Sequence, residues 1–338
     1  MSATAVRPDS TLGMAPARLT NVGRAVVPAL IVVLCAALAG WAPIGVSIVA
    51  VFLFAGPHNW FEARYFLTRM PARWGALTPY FSLGLGGSLL LGGLFASLPW
   101  LAAEQPGIGL QLVAGWNTLL TLWIVSLALI RSRQNPRRNW GFLVPLGLVL
   151  IAVNWLWPLA WSLGLVFLHP LIALWFLDRE LKRLRSVWLM PYRMGLLMVP
   201  VCLGGLFIQL AAGADLPNQD VVSWQITQHA GAGVVSHVST HLLVAAHVFL
   251  ELLHYLVWIV VIPSLSVRGP IWRIDTVPLA RRSTAWRRVV AAIVLAGIGI
   301  AVMLWGSFLA DYSWTRNVYF TVAILHVLGE VPFLLRLL

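Results

Sequence analysis

The chain is poor in charge. Of its 338 residues only 10% are Asp, Glu, Lys or Arg, and eleven of these are acidic. A soluble domain of this length needs a hydrated, charged surface, so the shortage excludes one. Cysteine is nearly absent. Cys35 and Cys202 both sit in apolar runs, which excludes a disulfide framework and a cysteine zinc site. The first 24 residues are polar, carry Arg7, Arg18 and Arg24, and lack a short apolar run ending in a cleavage site. They are read as a cytoplasmic tail with no cleaved signal. No internal repeat and no composition break marks a second domain, so residues 25–338 are read as one transmembrane domain.

What the chain has in quantity is apolar sequence. Hydrophobic residues make up 60% of it, with a mean hydropathy of +0.85. Eighteen tryptophans suit a large perimeter facing lipid and its interfaces. Ten apolar segments can be marked, at 25–41, 44–66, 78–102, 108–130, 140–155, 157–178, 194–213, 236–263, 288–310 and 317–335. The first and fifth are short, so the pairs that meet near residues 42 and 156 are expected as hairpins or kinked pairs. The fold expected is all-α, a polytopic integral membrane helix bundle of about ten spans, with eight as the lower bound.

Basic residues orient such a bundle. With the N-terminus in the cytoplasm, all of the 23 basic residues but Arg316 fall on the cytoplasmic side, while Glu104, Asp215, Asp220 and Asp311 fall outside. Both termini are therefore expected inside, in a bacterial-type cytoplasmic (inner) membrane. The net charge of +12 is accounted for by orientation and anionic lipid headgroups, leaving nucleic acid unnecessary as a partner. The 214–235 loop, with DLPNQD and HAGAG, is long enough to fold back as a cap over the outer helix ends.

The polar residues inside the apolar segments carry the chemistry. The stretch His237 to Pro263 reads as one span, yet holds four of the eight histidines and an acid. At about 100° per residue, with His247 at zero, Glu251 lies near +40°, His254 near −20°, His237 near +80° and His241 near +120°. One face of one helix is thus polar, and polar groups in hydrocarbon are costly unless partnered. His58, His169, His254 and His326 each lie about 15 Å from the cytoplasmic boundary, at a rise of about 1.5 Å per residue. Three have an acid one turn away: Glu62 after His58, Glu330 after His326, Glu251 before His254. Such a carboxylate can ligate a metal or hold the imidazole in one tautomer. His247 and His254 are about 10 Å apart along the axis, too far to share one ion.

The residues selected as metal ligands are His58, His254, His326 and His247, with Glu62, Glu251, Glu330, His237 and His241 as further ligands or supporting groups. A lone buried histidine is more often structural, and His169, beside Pro170 and without an acid one turn away, is read as structural or as a group supporting the ligands. His229 is read as a solvated loop residue. Trp258, on the His254 face, is read as packing.

The run Gly56-Pro57-His58-Asn59-Trp60-Phe61-Glu62 resembles a motif of the Brp/Blh-type bacterial carotene dioxygenases: a Pro-His pair in a membrane helix, followed by an acid four residues on. A second motif of that family, two histidines four apart in a later helix, is resembled by His237-Val-Ser-Thr-His241. Glu62 stands where the family favours Asp, and Asn59 where it favours a small residue. The resemblance implies a multi-helix membrane protein that holds non-haem iron with histidines, His58 among them, and cleaves a carotenoid double bond with O₂. It leaves open which histidines of the later helix complete the site.

The function expected is a membrane-embedded non-haem iron oxygenase. Its partners are O₂, membrane lipids and a lipophilic substrate, carotenoid or isoprenoid. Neutral imidazoles with open coordination positions suit Fe(II), and Glu251-Leu-Leu-His254 is a unit used in two-metal helix bundles. Two rivals remain at this stage: a proton-coupled transporter using buried His and Glu, and a haem-binding electron-transfer protein with His58 and His254 as axial ligands.

The charge asymmetry makes a direct prediction. A single cysteine placed in the 214–235 loop reacts with an impermeant maleimide on intact cells, and cysteines beside Arg133, Arg183 or Arg281 react only after permeabilisation. The reverse pattern overturns the orientation.

Overall fold

The computed structural model describes residues 21–135, 139–266 and 273–337. The expected tail, together with Arg137, Arg138 and Arg268 of the basic loops, lies largely outside the described residues; the first helix already begins at Asn21. Among the described residues every regular element is helical. In order these are α1 (Asn21–Trp41), α2 (Pro43–Arg69), α3 (Thr78–Glu104), α4 (Gly109–Gln134), α5 (Leu143–Leu156), α6 (Pro158–Leu184), α7 (Leu189–Leu196), α8 (Met198–Leu210), α9 (Val221–His229), α10 (Thr240–Leu256), α11 (Ile262–Ser266), α12 (Thr284–Ala310) and α13 (Tyr312–Leu337).

Eight stretches are long and apolar enough to cross a membrane, and two shorter apolar helices cover Val26–Trp41 and Leu143–Leu156. These ten correspond to the ten marked segments, and the short ones are the first and fifth. Prolines set several boundaries. Pro43 and Pro158 start α2 and α6 at the position where a missing N–H costs nothing. Pro200 cannot donate to the Leu196 carbonyl, and the seventh span breaks at Leu197 into α7 and α8.

The eighth span differs from its expected form. α10 begins at Thr240, because the Ser239 side chain accepts from the Leu242 N–H and the Thr240 N–H donates to Asp215. That backbone bond, with the Thr240 hydroxyl, holds the exposed Asp215 carboxyl below its usual range. His237 is therefore in an exposed turn and off the helix.

α10 is the central helix. It packs against α1, α2, α6 and α8, while α2 and α6 also pack against α13, so α2, α10, α6 and α13 close a ring. Small residues permit the close approaches. A side chain on Gly56 of α2 would meet the backbone of Ala301 on α12 at 2.9 Å, and one on Gly84 of α3 would meet Pro332 of α13 at 2.8 Å. Outward-facing Leu30, Trp41, Leu89, Trp100, Leu156, Ile208, Leu295 and Leu309 are exposed, as lipid contact requires.

Polar pairs tie the helices together. The Asn117 amide of α4 donates to Asn154 of α5 at 2.9 Å, and Asn154 donates to the Ala114 carbonyl at 2.8 Å. At one end of the bundle buried Glu180 of α6 accepts from Tyr65 and Arg69 of α2 and from Arg183, and Arg336 of α13 donates to the Arg69 carbonyl. At the opposite end α9 folds over the bundle as expected of a cap. It packs on α2, α10 and α13, with Asp220 capping its N-terminus and Gln225 bonded to Ser313.

Both asparagines are fully buried, so removing Asn154 takes from the Asn117 amide its shortest acceptor and leaves it the weaker Ser162 hydroxyl in an apolar layer. Asn154→Leu is expected to cost about 1–2 kcal/mol in reversible detergent unfolding. The Asn117→Leu/Asn154→Leu double variant is expected to cost less than the two single losses added. Strict additivity would show that the pair is not coupled.

Candidate metal centre

The four ring helices each deliver one histidine to the middle of the bundle: His58 from α2, His169 from α6, His254 from α10 and His326 from α13. Each lies beside an irregularity in its helix or has one close by. Pro57 precedes His58, Pro170 follows His169, Pro332 follows Glu330 on α13, and a π-helical turn at Val257–Val261 follows His254. Such interruptions loosen the backbone ladder and re-aim side chains, and π turns are frequent at functional sites.

The rings are packed together. Centroid separations are 5.4 Å for His58–His254, 5.1 Å for His58–His326, 4.7 Å for His169–His254 and 5.0 Å for His169–His326. His58, Glu62, His254 and His326 each offer a ligand atom, and these atoms all lie within 4.8 Å of one another. Two ligands held at about 2.1 Å from one ion are about 3–4 Å apart, so a small contraction brings this set onto a metal.

The hydrogen bonds support the same reading. His58 uses Nδ1 toward the Phe54 carbonyl at 3.0 Å, which puts the proton there and leaves Nε2 with a free lone pair. His169 Nε2 bonds His326 Nε2 at 3.1 Å, whereas its Nδ1 stands 3.3 Å from Glu330 Oε2 without a hydrogen bond between them. His254 is 3% exposed, yet neither of its ring nitrogens has a hydrogen-bond partner, and Glu62 Oε2 has none either. Buried groups of this kind normally find a partner. The donor set, neutral imidazoles with carboxylates, therefore fits a divalent transition metal.

The structure redistributes the other selected residues. His247 lies outside the ligand group: it stands 4.0 Å from Glu251 Oε2, with its ring against His229 and Phe167. Glu251 accepts from the Tyr255 hydroxyl at 2.7 Å, and the Tyr255 ring lies 4.7 Å from that of His58. Glu330 serves His169 across helices. His241 bonds the Gly40 carbonyl of α1 at 3.0 Å, a structural tie, and His237 is exposed in its turn. Of the two motifs that carry the family resemblance, the Pro-His motif reaches the cluster and the His237/His241 pair does not.

Two residues outside the selected ligands stand nearby. His169, expected to be structural or to support the ligands, has no acid within one turn; it bonds His326 and stands 3.3 Å from Glu330 of α13, and shared depth was the one signal for it. His229 is no solvated loop residue. It ends the capping helix α9 and lies against His247 and Phe320. Trp258 is fully buried among Tyr65, Phe66 and Phe176, in agreement with a packing role. Arg64 does not pair with Glu62 and donates instead to the Arg273 carbonyl.

A cavity of about 330 Å³ adjoins the cluster. Its polar lining includes His58, His169, His254, His326, His229, His247 and Glu251, and its apolar lining includes Phe95, Leu120, Ile124, Leu165, Leu168 and Ile324. A neighbouring groove of about 250 Å³ along α5 and α6 shares Leu165 and Leu168 with it, and Leu168 and Trp157 are exposed on the lipid-facing perimeter. Compared with known protein families, curated proteins and solved structures, the chain matches none.

Proposed function

We propose that the chain is a membrane-embedded non-haem iron oxygenase for a lipophilic substrate of the carotenoid or isoprenoid class. The observation that carries this reading is the buried set of His58, Glu62, His254 and His326, with both His254 nitrogens and one Glu62 oxygen unpartnered. These four would hold the iron, and bound iron would supply redox chemistry toward O₂. His169, bonded to His326 and facing Glu330, stands next to them and either supports His326 or joins the set. The cavity walls exclude water and position an apolar chain. The groove beside Leu165 and Leu168 would admit that chain sideways from the bilayer, where O₂ also partitions. The Brp/Blh resemblance supports the same reaction class through His58.

Haem fits the geometry poorly. The rings of His58 and His254 meet edge to face with centroids 5.4 Å apart, which leaves no slot for a porphyrin between them. The transporter reading draws on a different observation, the file of Tyr255, Glu251, His247 and His229 running from the cluster toward the capping helix. Buried His and Glu in such a file can relay protons.

Metal analysis separates these readings. Purified protein is expected to carry about one or two irons per chain with no Soret band. His58→Ala and His254→Ala are expected to reduce iron by roughly tenfold or more, His169→Ala by less, and His237→Ala and His241→Ala not at all. Wild-type protein free of iron after iron-replete expression, or full iron in His58→Ala and His254→Ala, would falsify the proposal.

A further inference from the structure

The end of the bundle that carries Glu180 holds a second cavity, separate from the metal centre. It measures about 330 Å³ and is lined by four guanidinium side chains, Arg64, Arg69, Arg183 and Arg281, with Phe61, Leu184, Ile262 and Pro263 on its apolar side. The charges do not balance. Glu180 is the acid that serves Arg69 and Arg183 together. Arg64 and Arg281 make no ion pair among the described residues: each donates to a backbone carbonyl, Arg64 to Arg273 and Arg281 to Asp275.

Arg64 is the informative member. Arginines on exposed loops are explained by membrane orientation, but Arg64 is 5% exposed and its Nε has no hydrogen-bond partner. A buried guanidinium without a counter-charge is unfavourable unless an anion reaches it. The hydroxyls of Thr68 and Thr276, also in the lining, already donate to the Tyr65 and Arg273 carbonyls. Donors free for a ligand are therefore guanidinium N–H groups. Their planar forks match an oxyanion with several oxygens, and the surplus of positive charge favours a phosphate over a singly charged carboxylate.

We propose that this cavity is a binding site for a phosphate group, carried either by a membrane phospholipid headgroup or by a soluble phosphorylated small molecule. Arg64 and Arg281 are its principal donors and Arg69 and Arg183 its rim. The apolar wall of Phe61, Leu184, Ile262 and Pro263 receives the organic part next to the phosphate. The site does not depend on the metal or on the oxygenase reading.

The test uses the full chain, delipidated in a neutral detergent, with two probes. Inorganic phosphate is titrated by calorimetry, and phosphatidate retention is followed by native mass spectrometry. Wild type is expected to bind at least one of them. Arg64→Gln is expected to weaken binding by about tenfold or more and Arg281→Gln by roughly three- to tenfold, while Arg185→Gln, outside the cavity, leaves it unchanged. Binding of inorganic phosphate assigns a soluble source. Retention of phosphatidate that inorganic phosphate does not displace assigns a lipid. Arg281 lies on an exposed connecting segment, so its variant carries the test even where Arg64→Gln does not fold. The proposal is overturned if wild type binds neither probe better than Arg281→Gln, or if Arg185→Gln loses as much.

Discussion

The structure turns on the cost of placing imidazole and carboxylate groups where neither water nor lipid can satisfy them. Four helices of an apolar bundle each bring such a group to its centre, and α2, α10, α6 and α13 close around the result. A hydrocarbon environment offers these side chains no hydrogen bonds, so they must meet one another or a ligand. Some do meet: His58 finds the Phe54 carbonyl and His169 finds His326. His254 does not, and its two unpartnered nitrogens belong to a buried group that could hold a metal ion.

The rest of the fold serves that centre by keeping other polar groups in separate places. Asn117 donates to Asn154, and Asn154 to the Ala114 carbonyl, so both amides are engaged between α4 and α5 and leave the cavity alone. Glu180 is taken up by Tyr65, Arg69 and Arg183 at one end, so it does not compete for the cluster. At the other end Ser239 fixes where α10 starts, and thereby which of its histidines are helical at all. Proline and π interruptions lie beside the cluster in α2 and α6 and within two turns of it in α10 and α13, where they relax the regular ladder that would hold side chains in register.

Much was legible before any coordinates. Length and hydropathy of each segment act locally, so the all-helical membrane bundle, its ten apolar segments and the shortness of the first and fifth follow from composition alone. Depth along a helix is also local, since each residue adds a fixed rise. That is why His58, His254 and His326 could be marked at one depth on three distant segments, and the packing of α2, α10 and α13 then brings them together. Angular position within one helix was less dependable. It grouped His237 and His241 with His254, but the Ser239 cap ended the helix before His237, and the neighbouring α1 gave His241 a backbone carbonyl.

What only the tertiary structure decided is which faces meet. Nothing within α6 pairs His169 with an acid; Glu330 reaches it from α13 because both helices pack into the same ring. Nothing in the 214–235 loop announces that His229 is drawn against His247, which depends on α9 folding over the bundle. Likewise the burial of Arg64 without an acid is invisible in a sequence whose arginines look like orientation signals. Periodicity and hydropathy are properties of one segment, whereas a site is made by contacts between segments far apart in the chain. The sequence therefore determined the helices and the depth of their polar residues, and packing decided the partners.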